Sequence, residues 1–260
     1  MQIELENVTV RYRRDRPPAL DSVSVSVAPG EQIAVIGSSG AGKSTLFKLL
    51  TRSLVARHGR VTMNGIDTAA GSFREIRRLR QHIGTIHQRG DLIDVSSVMK
   101  NVAMGTLAEA GPRAALSLAA LGARRHAAHA CTQALDALEI GHLTESRVTD
   151  LSGGQRQRVA VCRLLVQRPL LILADEPTAS VDARSATLVL ESLERLAAAN
   201  GSTLLLATHD VEVARRADRV VALAHGRIVY DGTAEDLTDD VVSETYASAR
   251  QAVAVGDAMP

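Results

Sequence analysis

The chain has 260 residues, 45 % of them hydrophobic and 23 % charged, the profile of one large α/β domain or of a domain carrying a subdomain. A net charge of +1 excludes a global field that recruits nucleic acid, and 2 % aromatics without Trp leave little for base-stacking platforms. Two cysteines, Cys131 and Cys162, make no disulfide framework and read as buried or incidental thiols in a reducing compartment.

The first residues, from Met1 to Asn7, are acidic and strand-like rather than a signal peptide. No apolar run approaches the ~18 residues of a membrane span, so any membrane role is expected to come through a partner. Residues 3–10 alternate as a half-exposed strand does, and residues 21–27 alternate more strictly. Between them, the arginines at 11, 13, 14 and 16 read as a solvated loop. Pro29-Gly30 is a turn signal, so the first 30 residues predict an antiparallel β element leading into a core.

Residues 32–36 form an apolar run of buried-strand length. It is followed by Gly37, Ser38, Ser39, Gly40, Ala41, Gly42, Lys43, Ser44 and Thr45, and then by a helical stretch at 46–50. This matches G-x-x-x-x-G-K-[ST], with the strand before it and the helix after it. The glycines let backbone wrap closely around a triphosphate, and N–H groups at the helix N-terminus face the anion. Lys43 reaches the β- and γ-phosphates, and the Ser44 hydroxyl is a ligand for Mg²⁺. The chain is therefore expected to bind a nucleoside triphosphate.

Further on, Asn64-Gly65 predicts a hairpin within 60–66, a basic helix follows at about 72–81, and 83–87 reads as a strand. From about 92 to 150 the composition turns Ala-, Leu- and Arg-rich, an all-helical insertion broken at Gly111-Pro112, Gly122 and Gly141. Within it His126, His129 and Cys131 lack a fourth ligand at a recognised spacing and read as an exposed helix face. The apolar run 170–174 delivers Asp175-Glu176 at its end. Asp175 is expected to hold Mg²⁺ through water, and Glu176 to polarise the attacking water. Residues 183–199 read as a helix, 203–207 as a buried strand, and 220–223 with 227–230 as a hairpin around His225-Gly226. A loose tail is expected from about 249. Strands alternating with helices give the fold class: an α/β P-loop NTPase core with a mostly parallel sheet flanked by helices, an N-terminal antiparallel β element and an inserted α-helical subdomain.

A third motif, Leu151, Ser152, Gly153, Gly154 and Gln155, opens the helical run 156–167, where a hydroxyl, close-approach glycines and the helix dipole make an anion site. With the other two motifs it resembles the ATP-binding subunit of ABC transporters over roughly 1–248. The resemblance implies a core of 1–91 and 150–248, a helical subdomain at 92–149 and a tail at 249–260. It makes Ser152, Gly153, Gly154 and Gln155 the family signature, and Gln88 the Q-loop glutamine, catalytic and facing the metal. Ser180, Val181 and Asp182 resemble the D-loop, His209 the catalytic switch histidine, and Tyr12 the aromatic stacked on adenine.

It also implies a mechanism. Two copies pack head to tail, each ATP lying between one copy's P-loop and the other's Ser152, Gly153 and Gly154. The helical insertion, hinged at Gln88, docks integral membrane permease subunits at the cytoplasmic face of the inner membrane, indirectly serving a solute-binding protein, with no nucleic acid involved. Ala179, Ser180, Val181 and Asp182, and the stretch from Leu92 to Val102, resemble the phosphonate-importer subfamily. His87, Met99-Lys100 and Cys162-Arg163-Leu164 depart from its pattern. Other ABC importers and lipoprotein-type exporters share the catalytic motifs. A soluble ABC ATPase acting on DNA or ribosomes fits less well with a single P-loop and a short insertion. A non-hydrolysing scaffold is opposed by the presence of Lys43, Asp175, Glu176 and His209 together.

Overall fold

The structure is a computed structural model that describes residues 1–87, 92–107, 121–179 and 181–256, with backbone alone at 107, 121–127 and 248–256. The chain forms two compact units, Met1–Arg80 with Thr203–Pro260, and Gln81–Ser202.

In the first unit, strands β1 (Ile3–Val10), β2 (Leu20–Val27), β4 (His58–Met63) and β5 (Ile66–Asp67) form an antiparallel sheet in the order β2-β1-β4-β5. The alternation read from sequence survives in the inward Val8, Val23 and Val27. It does so through a break in register beside Val8, where Asn7 and Ser22 take left-handed φ of 49° and 54°. The small polar residues mend the break: Asn7 N donates to Ser24 Oγ at 2.9 Å, and Ser22 N to Thr9 Oγ1 at 3.0 Å. Asn64 and Gly65, both with positive φ, turn β4 into β5 as the hairpin signal requires.

The same unit holds β3 (Gln32–Ile36), β8 (Thr203–Thr208), β9 (Arg219–Ala224) and β10 (Arg227–Thr233), with β3 parallel to both β8 and β9, and β9–β10 an antiparallel hairpin. Every residue of β8 is buried, as expected of a parallel strand covered on both faces. Helix α1 (Lys43–Leu50) lays Leu46, Phe47, Leu49 and Leu50 into this core. Ile3 and Val27 of the first sheet meet Ile33 and Leu205 of the second, together with Leu46 and Leu50, around one small apolar cavity. Arg219 ties the edge together, donating to Asp231 Oδ2 at 2.7 Å and to Glu31 Oε1 at 3.0 Å. Helix α2 (Phe73–Gln81) leads out of this unit. The last helix, Asp239–Gly256, continues through residues expected to be loose from about 249.

The second unit is built on β6 (Ile83–Ile86) and β7 (Leu171–Asp175), paired in parallel from Ile83 opposite Leu171 to Ile86 opposite Ala174. Its central helix is Gly153–Gln167, buried at Val159, Ala160, Val161, Cys162 and Leu164, hence on nearly every face. Around it lie α3 (Val98–Ala103) and the helices Leu121–Ala137 and Ala183–Asn200. The central helix holds β6 directly, through Gln167 Nε2 to Ile83 O at 3.0 Å and Arg163 to Thr85 O at 3.4 Å. These bonds group β6 and β7 with the helical segment, a line of division different from the composition shift at about 92.

Cys131 corrects the exposed-face reading of 126–131. It is fully buried, whereas His129 is exposed and the side chain of His126 lies outside the described residues. Cys162 is equally buried and donates to Ala134 O at 3.1 Å. Burial pushes both thiols up, Cys162 furthest, with Cys131 nearby adding to the effect. Because only the folded chain resists ionisation of these thiols, their contribution is complete below the ordinary thiol value of about 8.5 and declines as pH rises past it. A thiol reagent at pH 8 is expected to find neither cysteine in native protein and both of the 2 in guanidinium. Denaturant midpoints are expected to fall between pH 8 and 10.

Asn101 is fully buried and braces the segment ahead of α3. Its Oδ1 accepts from Ile93 N at 2.7 Å, and its Nδ2 donates to Ile93 O at 3.2 Å and Ser97 O at 3.0 Å. Asn101→Ala is expected to cost about 1–3 kcal/mol in urea unfolding. Amides 93–97 should then exchange faster than those of the central helix.

Candidate functional site

The first unit presents the glycine-rich turn in which the sequence predicts a phosphate site. β3 ends at Ile36, opposite Thr208 at the end of β8, so the turn that starts at Gly37 and the segment that starts at His209 leave adjacent strand ends. Gly37 has φ +150°, and a Cβ there would run into the Leu223 carbonyl. Gly42 caps α1 with φ +118°, and a Cβ there would stand 2.6 Å from Ala19 O and 2.9 Å from Leu20 Cδ2. Both positions therefore demand glycine for conformation and for space. Ala41 N closes the turn onto Ser38 O at 3.1 Å. Ser39 and Gly40 are exposed at its tip.

Lys43 is buried and folds its ammonium back over the turn, 2.5 Å from Gly37 O and 3.2 Å from Ser38 O. Ser44 is exposed in the first helical turn, and Thr45 is buried. The first-turn N–H groups of α1 stand at the positive end of its dipole, a setting for anionic oxygens. Tyr12, 56 % exposed, stands over this helix: its hydroxyl shares a 3.3 Å hydrogen bond with Thr45 Oγ1, and Lys48 Nζ lies 5.8 Å above its ring centroid. His209 is exposed, and its carbonyl accepts from Tyr246 Oη at 3.2 Å. Asp210 caps the next short helix, accepting from Glu212 N at 2.9 Å.

The second unit carries the remaining motifs. β7 brings Asp175 to its C-terminal end, half-buried, and Glu176 follows with φ +49°. A left-handed glutamate costs about 1–3 kcal/mol and persists only where its surroundings impose it. Here the turn is closed by Ala179 N donating to Glu176 O at 3.1 Å. Ser152 caps the central helix in a reciprocal box: Gln155 N donates to Ser152 Oγ at 3.3 Å, and Ser152 N donates to Gln155 Oε1 at 2.9 Å. Gln155 thus spends its side-chain carbonyl on shaping the turn that opens this helix. Gly153 begins the helix, and Gly154 is buried against the start of the next one, where a Cβ would meet Ser185 Oγ at 3.1 Å and Asp182 Oδ2 at 3.5 Å. Asp182 caps the helix Ala183–Asn200 by accepting from Ser185 N at 2.9 Å. That bond and the Ser185 hydroxyl hold the Asp182 carboxyl below its ordinary range. Gln88 and Ser180 lie outside the described residues.

Two contributors escaped the sequence reading. Ser185, beneath Gly154, is announced only by the Asp-x-x-Ser spacing of a helix cap. Lys48 is announced only by standing three residues after Thr45 on one helix face.

Residues 20–179 match the family model described as ABC transporter. The chain belongs to the ABC transporter family, as an ATP-binding, ATP-hydrolysing subunit. Among curated proteins it is similar to the phosphonates import ATP-binding protein PhnC of Rhodopseudomonas palustris (strain BisB5), 41 % identical over 243 residues that span 93 % of this chain and 88 % of the relative. The protein of the same name from Bradyrhizobium diazoefficiens is 38 % identical over the same shares. Among solved structures, the ATP-binding cassette MJ0796, a dimer in a post-hydrolysis state bound to ADP and Pi, aligns with a TM-score of 0.80 at 28 % identity, over 90 % of this chain and 100 % of that one. cbiO1 from Clostridium perfringens, part of the transporter complex cbiONQ, aligns with a TM-score of 0.75 at 26 % identity, over 97 % and 94 %. Among the described residues, no helix is long and apolar enough to cross a membrane.

The two inner glycines of the turn separate by mechanism. Gly42→Ala combines a forbidden φ with a backbone clash and is expected to lose more than about 2 kcal/mol of stability. Gly40→Ala faces open space at φ +81° and is expected to lose only about 1 kcal/mol. Paired urea titrations check the order.

Proposed function

We propose that this chain energises an ABC import system for phosphonate or a related oxyanion. The observation that carries the substrate class is the 41 % identity, along 93 % of the chain, to a protein named for phosphonate import. The P-loop built from Gly37, Ser38, Ser39, Gly40, Ala41, Gly42, Lys43, Ser44 and Thr45 holds the triphosphate of ATP, and Tyr12 holds its adenine. Lys43 exchanges its neutral carbonyl partners for ionised phosphate oxygens, so that both partners of the bond carry charge.

The donors offered to Mg²⁺ are a hydroxyl at Ser44 and carboxylate oxygen at Asp175, with Gln88 a third. All are hard oxygen donors of the kind this ion takes, and the exposed Ser44 leaves room for its retained waters. Mg²⁺, when bound, neutralises charge on the terminal phosphates. Glu176 accepts a proton from the attacking water, and its left-handed backbone sets the direction in which the side chain leaves the turn. His209 contacts the terminal phosphoryl group as that charge develops.

Two copies clamp two ATP molecules head to tail. Each supplies Ser152, Gly153, Gly154 and Gln155 to the other's nucleotide, so the hydroxyl and helix N-terminus complete the anion site. ATP then acts as an adhesive that hydrolysis removes. Closure passes through the helical segment, with the Gln88 loop as hinge, to permease subunits at the cytoplasmic face of the inner membrane. A solute-binding protein on the other side chooses the cargo.

Glu176→Gln keeps charge-independent contacts and removes the base. It is expected to bind ATP as wild type does, to elute as a dimer with ATP, and to lower turnover by at least about 10²-fold. Wild-type phosphate release by this variant would remove Glu176 from the mechanism. The cargo is tested with the reconstituted transporter, whose ATPase rate should rise with phosphonate-loaded binding protein and stay level with the amino-acid-loaded kind.

A further inference from the structure

The geometry points to Lys48 as the positioning residue for the base of the nucleotide, acting through Tyr12. This rests on the reading of Tyr12 as the adenine platform. An exposed tyrosine on a loop has little reason to keep one orientation, and the loop after Val10 is open to solvent from Arg11 to Arg16. Yet α1 grips Tyr12 at two points. Thr45 Oγ1 holds the ring's hydroxyl at 3.3 Å, and Lys48 Nζ stands over one face, 5.8 Å from the centroid. Thr45 and Lys48 are three residues apart and so lie on one side of the helix. The helix that carries the phosphate-binding turn at its N-terminus therefore also sets the height and tilt of the aromatic ring.

Two consequences follow for a base. With the ammonium over one face, the other is the more open to stacking, so one pose is favoured. The cation also draws π density toward itself, which lessens repulsion between the free face and an electron-rich purine in offset stacking. Lys48 is on the second turn of α1, beyond the first-turn N–H groups of that helix. Its effect should reach the base and leave the phosphates alone.

The test uses full-length Lys48→Met, Lys48→Arg, Tyr12→Ala and the Tyr12→Ala/Lys48→Met double variant. Each is assayed for ATP hydrolysis and for inhibition by inorganic tripolyphosphate, which has phosphates and no base. Lys48→Met is expected to raise the KM for ATP about two- to tenfold with kcat held, the range of one cation–π contact. Tripolyphosphate inhibition should be unchanged, Lys48→Arg should restore the KM, and the double variant should be no worse than Tyr12→Ala. An unchanged KM in Lys48→Met overturns the proposal. So does equal weakening of ATP and tripolyphosphate, which assigns Lys48 to the phosphates, and so does additive loss in the double variant. If Tyr12→Ala itself leaves the KM for ATP unaltered, the platform reading fails first and Lys48 falls with it.

Discussion

The parallel pairing of β3 with β8, Ile36 opposite Thr208, is the constraint on which the nucleotide end of the first unit depends. Both strands are apolar runs that hide their side chains on two faces, and neither can slide without exposing them. Fixing that register fixes where each chain leaves the sheet. Gly37 must then turn at once, because the Leu223 carbonyl occupies the space a side chain would need. The glycine turn, the buried Lys43 and the start of α1 follow from that exit point, and His209 leaves from the neighbouring strand.

The second unit repeats the device with different cargo. β6 and β7 end together, one leading toward the Gln88 segment and the other delivering Asp175 and Glu176. What differs is the covering helix. Gly153–Gln167 is buried on nearly every side, so its N-terminus cannot drift, and the Ser152–Gln155 box is presented on a rigid post. Placing such a turn on a well-packed helix, rather than on a loop, keeps its backbone donors aimed.

Much of this was written locally in the chain. The P-loop, the Asn64-Gly65 hairpin, the apolar runs of β3, β7 and β8 and the cap ahead of Gly153 are each short patterns with their own physical cause. What escaped depends on residues far apart. The register break at Asn7 and Ser22 exists because two strands must keep Val8 and Val23 facing inward together. Cys131 looks like part of a polar helix face until the central helix covers it. The left-handed backbone at Glu176 is imposed by the turn that follows, and Lys48 gains its meaning only from a tyrosine 36 positions earlier in the chain.

The contact of Gly154 with Ser185 has one more implication. Asp182 secures the first turn of its helix through Ser185, and the same serine is the floor on which Gly154 rests. Neither helix can unwind its opening turn independently: fraying at one drops the support of the other. The loop that succeeds β7 and the turn that opens the helix Gly153–Gln167 are thus mechanically yoked inside a single polypeptide.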